Sequence, residues 1–152
     1  VYDLKNMSKE EAQTVCTWHY EGEYAVYDLP SYDEALKQQW GIGQDKIRQK
    51  EFYTIYLKEE LIGYFRLQET CDDIRLGIGL RPDYCGQGHS KQILSEIDTF
   101  IHQRYNKKIR LLVRPFNKRA QAAYLKAGFE IIEKTILNTT NGEVPFIIME
   151  KQ

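Results

Sequence analysis

Cysteine, histidine and proline are all scarce: 152 residues hold three cysteines, three histidines and four prolines. Cys16, Cys71 and Cys85 have no paired spacing, and no C-x-x-C occurs. An odd, unpaired set without a secretory segment predicts a reducing, cytoplasmic setting and excludes a disulfide framework. No His/Cys/Asp grouping has the spacing of a zinc site, so no metal is expected. No apolar run approaches the roughly 20 residues that span a bilayer, so no membrane partner is expected. Neither sign of charge is in excess: 21 Lys and Arg stand against 22 Asp and Glu, a formal charge of −1. With the basic residues scattered, a nucleic-acid partner is not expected. Repeats, low-complexity tracts and Pro/Ser-rich linkers are also missing. The length predicts a single domain over residues 1–152, able to bury its own core. Aromatics are plentiful by contrast, with 11 Tyr, 6 Phe and 2 Trp.

Periodicity and capping signals divide the chain into elements. Residues 1–4 suit a short strand. Ser8 followed by Glu11 is a capping-box pattern, predicting a helix to about Trp18. Residues 18–30 show no period and read as a loop. Ser31 and Glu34 repeat the capping pattern before a second helix, about residues 32–40, which Gly41-Ile42-Gly43 ends. Strands are predicted at 51–57, 61–69 and 73–80, joined as hairpins. In the third of these Ile74, Leu76, Ile78 and Leu80 share one face, and Arg75, Gly77 and Gly79 the other. Two glycines on one strand face mark a bulge or close approach by a backbone or ligand. From Gly88 to about Asn106 the period becomes helical, with Ile93, Leu94, Ile97, Phe100, Ile101 and Tyr105 in one stripe. Residues 108–114 read as a strand. Asn117 is an N-cap for a helix over 118–127, with Gly128 at its C-terminal stop. Strands at 129–137 and 144–150 flank an Asn141-Gly142 turn. The order β-α-α-β-β-β-α-β-α-β-β contains one β-α-β crossover. It predicts an α/β (α+β) fold: a mixed, mostly antiparallel twisted sheet of about seven strands with about four helices.

The run Leu80-Arg81-Pro82-Asp83-Tyr84-Cys85-Gly86-Gln87-Gly88-His89-Ser90 closes a strand, turns on glycines and opens a helix. Glycines there let the backbone come close to a ligand, and a helix N-terminus adds about half a positive charge. Such a junction suits a phosphate or pyrophosphate. Neither G-x-G-x-x-G nor G-x-x-x-x-G-K-[ST] is present, so spacing alone does not say which one. The plain alternative is that Gly86 and Gly88 only make a turn.

With its flanks, this segment resembles the GNAT superfamily of acyl-CoA-dependent N-acyltransferases. That family carries Q/R-x-x-G-x-G/A after its fourth strand, and Cys85-Gly86-Gln87-Gly88-His89-Ser90 matches with Gly88 on the central glycine. Cys85 stands where Gln or Arg is usual, and Ser90 where Gly or Ala is usual. Asn117, Ala120, Ala123, Tyr124, Ala127, Gly128 and Phe129 are similar to the family's N-x-x-A-x-x-x-Y-x-x-x-G-F signature. The resemblance implies a GNAT-like single-domain fold, with acetyl-CoA as co-substrate and a primary amine (small molecule, peptide N-terminus or lysine) as acceptor. It implies that Cys85, Gly86, Gln87, Gly88, His89 and Ser90 wrap the pyrophosphate. Backbone groups of Ile78, Gly79 and Leu80 then meet the pantetheine arm, Asn117 binds that arm, and Tyr124 reaches the thioester sulfur as general acid.

A base to deprotonate the amine is not identified. Glu69, Asp72 and Asp73 read as solvated turn residues, and His19 and Glu21 are further candidates. The tyrosines and carboxylates of residues 19–30, and the polar hairpin 139–143, are expected to flank the acceptor. The carboxylates and aromatic faces suit a cationic amine. Residues 144–149 are apolar enough to pair between subunits, which leaves a homodimer open. Two other readings stay open: a non-catalytic acyl-CoA-binding or sensing domain of the same fold, and an interaction module built on the tyrosine-rich loop.

Overall fold

The computed structural model describes residues 1–152. Its strands are β1 (Tyr2–Asn6), β2 (Phe52–Leu57), β3 (Glu60–Glu69), β4 (Asp73–Leu80), β5 (Lys108–Val113), β6 (Glu130–Thr139) and β7 (Gly142–Lys151). Its α-helices are α1 (Lys9–Val15), α2 (Tyr32–Lys37), α3 (Asp45–Glu51), α4 (Ser90–His102) and α5 (Lys118–Lys126). The strands make one seven-stranded mixed sheet in the order β1-β2-β3-β4-β5-β7-β6. The chain forms two compact units, Val1–Leu67 with Ile78–Gln87, and Gln68–Gly77 with Gly88–Gln152.

In the first unit β1 pairs antiparallel with β2, and β2 with β3. The β2–β3 turn is only Lys58-Glu59, and both residues take positive φ (49° and 70°). A two-residue turn that matches strand twist needs that conformation, even without glycine. The Ser8–Glu11 capping box is complete, whereas at Ser31 only the hydroxyl half forms, accepting from the Glu34 amide. Met7, Ala12, Val15, Cys16, Trp18, Ala35, Ile42 and Phe52 close into one core cluster, with Tyr32 and Tyr64 packed against it.

In the second unit the predicted stripe of α4 is the buried one: Ile93, Leu94, Ile97, Phe100 and Ile101. β5 pairs antiparallel with β7, and β7 with β6. β7 is therefore internal, and Ile147, Ile148 and Met149 are buried. The apolar run expected to offer an intersubunit edge is covered by its own sheet. The exposed apolar side chains belong to β6: Ile131, Ile132, Ile136 and Leu137.

Several boundaries differ from expectation. α1 stops at Val15 and α2 at Lys37, because Gln39 turns left-handed (φ 57°) just after α2. α4 ends at His102 rather than near Asn106. The stretch 18–30 holds a short 3-10 helix, Gly22–Tyr27. α3 is a fifth helix that periodicity misses, and it takes Glu51 from the predicted strand. Its buried residue is Arg48, which donates to the Ile42 carbonyl at 2.9 Å and to Asp45 at 2.5 Å. A helix that buries a guanidinium shows no apolar period.

Asp73 is also corrected. It is 4 % exposed rather than solvated. Its carboxylate accepts from Thr70 Oγ1 at 2.7 Å and lies 3.5 Å from Arg110 Nε and 3.8 Å from Arg75 Nε. Removing it takes the acceptor from the Thr70 hydroxyl and the weaker of two carboxylate partners from Arg110, which keeps Glu150 at 2.6 Å. Asp73→Ala is expected to lower unfolding stability by about 2 kcal/mol, read from urea midpoints at unchanged slope. A loss under 0.5 kcal/mol would make the pair ornamental.

Candidate functional site

β4 and β5 run parallel but pair only at Asp73↔Lys108, Ile74↔Ile109 and Arg75↔Arg110. β4 then continues to Leu80, while β5 up to Val113 pairs with β7. From Leu76 onward β4 has no ladder with β5. Peptide groups released from a ladder this way are free to pair with an extended, amide-bearing ligand.

The two glycines on the Arg75 face have different surroundings. A Cβ on Gly79 would lie 2.4–2.8 Å from the Tyr64 ring and hydroxyl, so the close approach inferred there is made by the protein's own side chain. A Cβ on Gly77 would meet nothing within 4 Å. Ile78 and Leu80 are half-buried. The last peptide plane of β4 is held from both ends: the Leu80 carbonyl accepts from the Tyr20 hydroxyl at 2.5 Å, and the Arg81 amide donates to the Ile62 carbonyl at 2.7 Å. That leaves less of Leu80 for a ligand than expected.

After β4, Pro82–Tyr84 makes a 3-10 turn. Arg81 grips Asp83 through two bonds, 2.7 and 3.0 Å, and stacks 4.7 Å from the Tyr84 ring centroid. The Arg81 guanidinium holds the Asp83 carboxyl below the usual carboxylate range. The Tyr84 hydroxyl donates to Glu60 at 2.5 Å. The Cys85 thiol turns back toward the carbonyls of Leu80 (3.8 Å) and Arg81 (3.7 Å). Gly86 and Gly88 take φ of 72° and 83°. Gln87 is exposed, and His89 and Ser90 are half-buried. His89 sits at the N-cap of α4 in helical conformation and offers no side-chain bond to the first-turn amides. The helix opens directly from two left-handed glycines, with its N-terminal dipole uncapped by a side chain.

On α5 the Asn117 side-chain oxygen accepts from the Ala120 amide at 3.1 Å, and the residue is buried. Gln121, which carries no local sequence signal, is buried too. It donates to the carbonyls of Arg114 and Pro115 at 3.3 and 3.0 Å, tying α5 to the end of β5. Tyr124 is half-buried, beside half-buried Ala120, Ala123 and Ala127. Its ring meets Phe129 edge-on at 5.7 Å.

The candidate bases divide by position. Asp73 opens β4 and Leu80 closes it, so seven extended residues, roughly 23 Å, separate them. Asp73 is ion-paired, Glu69 binds Lys107 at 2.9 Å, and Asp72 is an exposed turn residue. These three belong to the far end of the strand. His19 Nδ1 lies 3.1 Å from Asp28 Oδ2, and Glu21 is exposed. Close by, Gln13, Cys16, Thr17, His19, Ser31, Tyr32 and Asp33 line an open groove of about 410 Å³ between α1 and α2. Burial pushes the Cys16 thiol up to about 11, so it stays protonated. No three His, Cys, Asp or Glu side chains group so as to hold a metal ion, and no helix is long and apolar enough to cross a membrane.

Solved structures share this architecture. The chain is similar to a spermidine N-acetyltransferase from Vibrio cholerae in complex with CoA and spermine: 18% identity, TM-score 0.77, over 99% of this chain and 94% of that one. It is similar to aminoglycoside acetyltransferase AAC(6')-Ib in complex with coenzyme A and kanamycin: 20% identity, TM-score 0.77, 100% and 95% coverage. The ribosomal-protein-S18-alanine N-acetyltransferase from Escherichia coli aligns at 18% identity and TM-score 0.69, over 99% and 92%. At such identities the likeness is one of fold. No curated protein sequence matches. The acetyltransferase (GNAT) domain profile matches residues 48–131, more than half of the chain. The chain belongs to the GNAT acetyltransferase family.

Proposed function

We propose that this protein transfers the acetyl group of acetyl-CoA to a primary amine, within one domain spanning 1–152. β3 and β4 each run through both compact units, which supports the single-domain reading. The observation that carries the function is the ladder that ends at Arg75↔Arg110 just upstream of the Gly86/Gly88 turn. One strand thus offers unpaired peptide groups for a pantetheine arm and leads straight into amides suited to a diphosphate.

In the proposed reaction the neutral amine nitrogen attacks the thioester carbonyl carbon. The C–N bond forms, the C–S bond breaks, and the sulfur leaves with its electron pair. Tyr124 donates a proton to that sulfur. The ammonium proton passes to water or a base; Asp73 is already ion-paired and Glu69 already holds Lys107. Cys85 through Ser90 hold the diphosphate, while Ile78, Gly79, Leu80 and Asn117 hold the arm. The Asn117 oxygen already serves the α5 cap by accepting from the Ala120 amide. The exposed carboxylates Glu21, Glu23 and Asp33 favour a cationic acceptor. The spermine and kanamycin named with the similar structures are amines of that kind.

The test is thermal. CoA at 100 times its Kd is expected to add about 2.7 kcal/mol of stability and raise Tm accordingly. Thiol release from acetyl-CoA with a panel of polyamines, aminoglycosides and peptides then identifies the acceptor. A Tm unmoved by millimolar CoA would overturn the proposal, and binding without thiol release would favour the sensing domain.

A further inference from the structure

Residues 19–28 and the end of β4 are joined by one chain of hydrogen bonds. Asp28 Oδ1 accepts from the Tyr20 amide at 2.8 Å, and Asp28 Oδ2 meets His19 Nδ1 at 3.1 Å. The carboxylate thus fixes the backbone at Tyr20. From that anchor the Tyr20 side chain reaches across 60 positions of sequence to the Leu80 carbonyl, at 2.5 Å. The next group along, the Arg81 amide, is taken by Ile62 at 2.7 Å. Underneath, the Tyr64 ring fills the space where Gly79 lacks a side chain and tilts against Trp18, centroids 6.1 Å apart. The terminal peptide of β4 therefore has a fixed plane, set from one side by Tyr20 and from the other by β3.

We propose that Tyr20 is a positioning residue: by holding the Leu80 carbonyl it fixes the free end of β4 in the orientation that the acyl carrier's pantetheine arm binds. The inference rests on the acetyl-CoA reading of the same strand. A strand edge without a ladder partner is ordered only by what else grips it, and fixing one residue's backbone is a cost that ligand binding otherwise bears. Tyr20 bears it before the ligand arrives. The phenol suits the task because burial, with Tyr64, Cys85 and Asp28 nearby, raises its pKa well beyond the ordinary tyrosine range. It stays a donor at any working pH. The same bond ties the segment expected to meet the amine to the strand expected to meet the acyl donor.

Calorimetric titration with CoA tests this without knowing the amine. Wild type must bind first: no heat there sinks the acetyl-CoA reading and this inference with it. Given wild-type binding, Tyr20→Phe keeps the ring and loses the donor. Its Kd for CoA is expected to rise about tenfold at unchanged stoichiometry. A merely structural role would lower Tm or the bound fraction and leave Kd alone. A Kd within twofold of wild type, or tighter, overturns the inference. If Tyr20→Phe fails to fold, Asp28→Ala decides instead. It frees the Tyr20 backbone but keeps the phenol, so a rise of about threefold is expected and no rise overturns the inference.

Discussion

Gly88→Val is expected to weaken CoA binding about 100-fold while leaving a folded protein. Gly88 has a φ of 83°, and a Cβ there would touch nothing within 4 Å. The penalty is therefore conformational, not a clash. A β-branched residue in that region is an outlier, and left-handed backbone costs L residues about 1–2 kcal/mol. An exposed loop relieves such strain by turning its peptide planes. Doing so aims the amides between Gly86 and Ser90 away from the position a diphosphate would take. One charge-assisted bond is worth about 1.5–3 kcal/mol, and losing it at the upper end is roughly 100-fold. Gly142 supplies the control: φ is 90°, no atom lies near its Cβ, and it sits in the β6–β7 hairpin. Gly142→Val should lose similar stability in a melt yet titrate CoA like wild type. Equal Kd values for both variants and wild type would remove the glycine turn from the binding site.

How much of this was legible in the sequence depends on the distance over which each feature is specified. The strands, the α4 stripe and the two serine caps rest on neighbours within four residues, and all of them formed. The glycine turn was legible because backbone geometry restricts which residues can make it. α3 was not, since its buried residue is Arg48, satisfied by Ile42 and Asp45 rather than by an apolar face. Asp73 read as a turn carboxylate because its partner Arg110 lies 37 residues on. Gly79 and Tyr64 explain each other only once β3 and β4 are paired. The Tyr20–Leu80 bond had no local signal at all: one tyrosine among eleven meets a carbonyl 60 residues away. Positions that recognise backbone or solvent announce themselves in sequence, whereas positions that recognise each other across the fold do not.

Tyr124→Phe is expected to lower kcat about 100-fold, with the Kd for CoA and the KM for acetyl-CoA each within about twofold of wild type. The ring carries the packing: its edge-on contact with Phe129, at 5.7 Å, survives loss of the hydroxyl, and the Phe129 amide bonds the Tyr124 backbone carbonyl rather than its side chain. The fold and the ground-state complex should therefore be spared. In the proposed reaction the hydroxyl acts as charge builds on the departing sulfur. A thiol ordinarily ionises near 8.5 and a phenol near 10, so complete proton transfer is not forced and a thiolate can leave unaided. The phenol's contribution then lies toward the lower end of the roughly 10²–10⁴ range for positioned proton donors. Steady-state kinetics separates the outcomes. A fall in kcat at constant KM removes an interaction made only in the transition state. A raised KM at constant kcat would reduce Tyr124 to a contact for the carrier arm. If neither parameter moved, the proton for the thiolate would have to come from another group or from water.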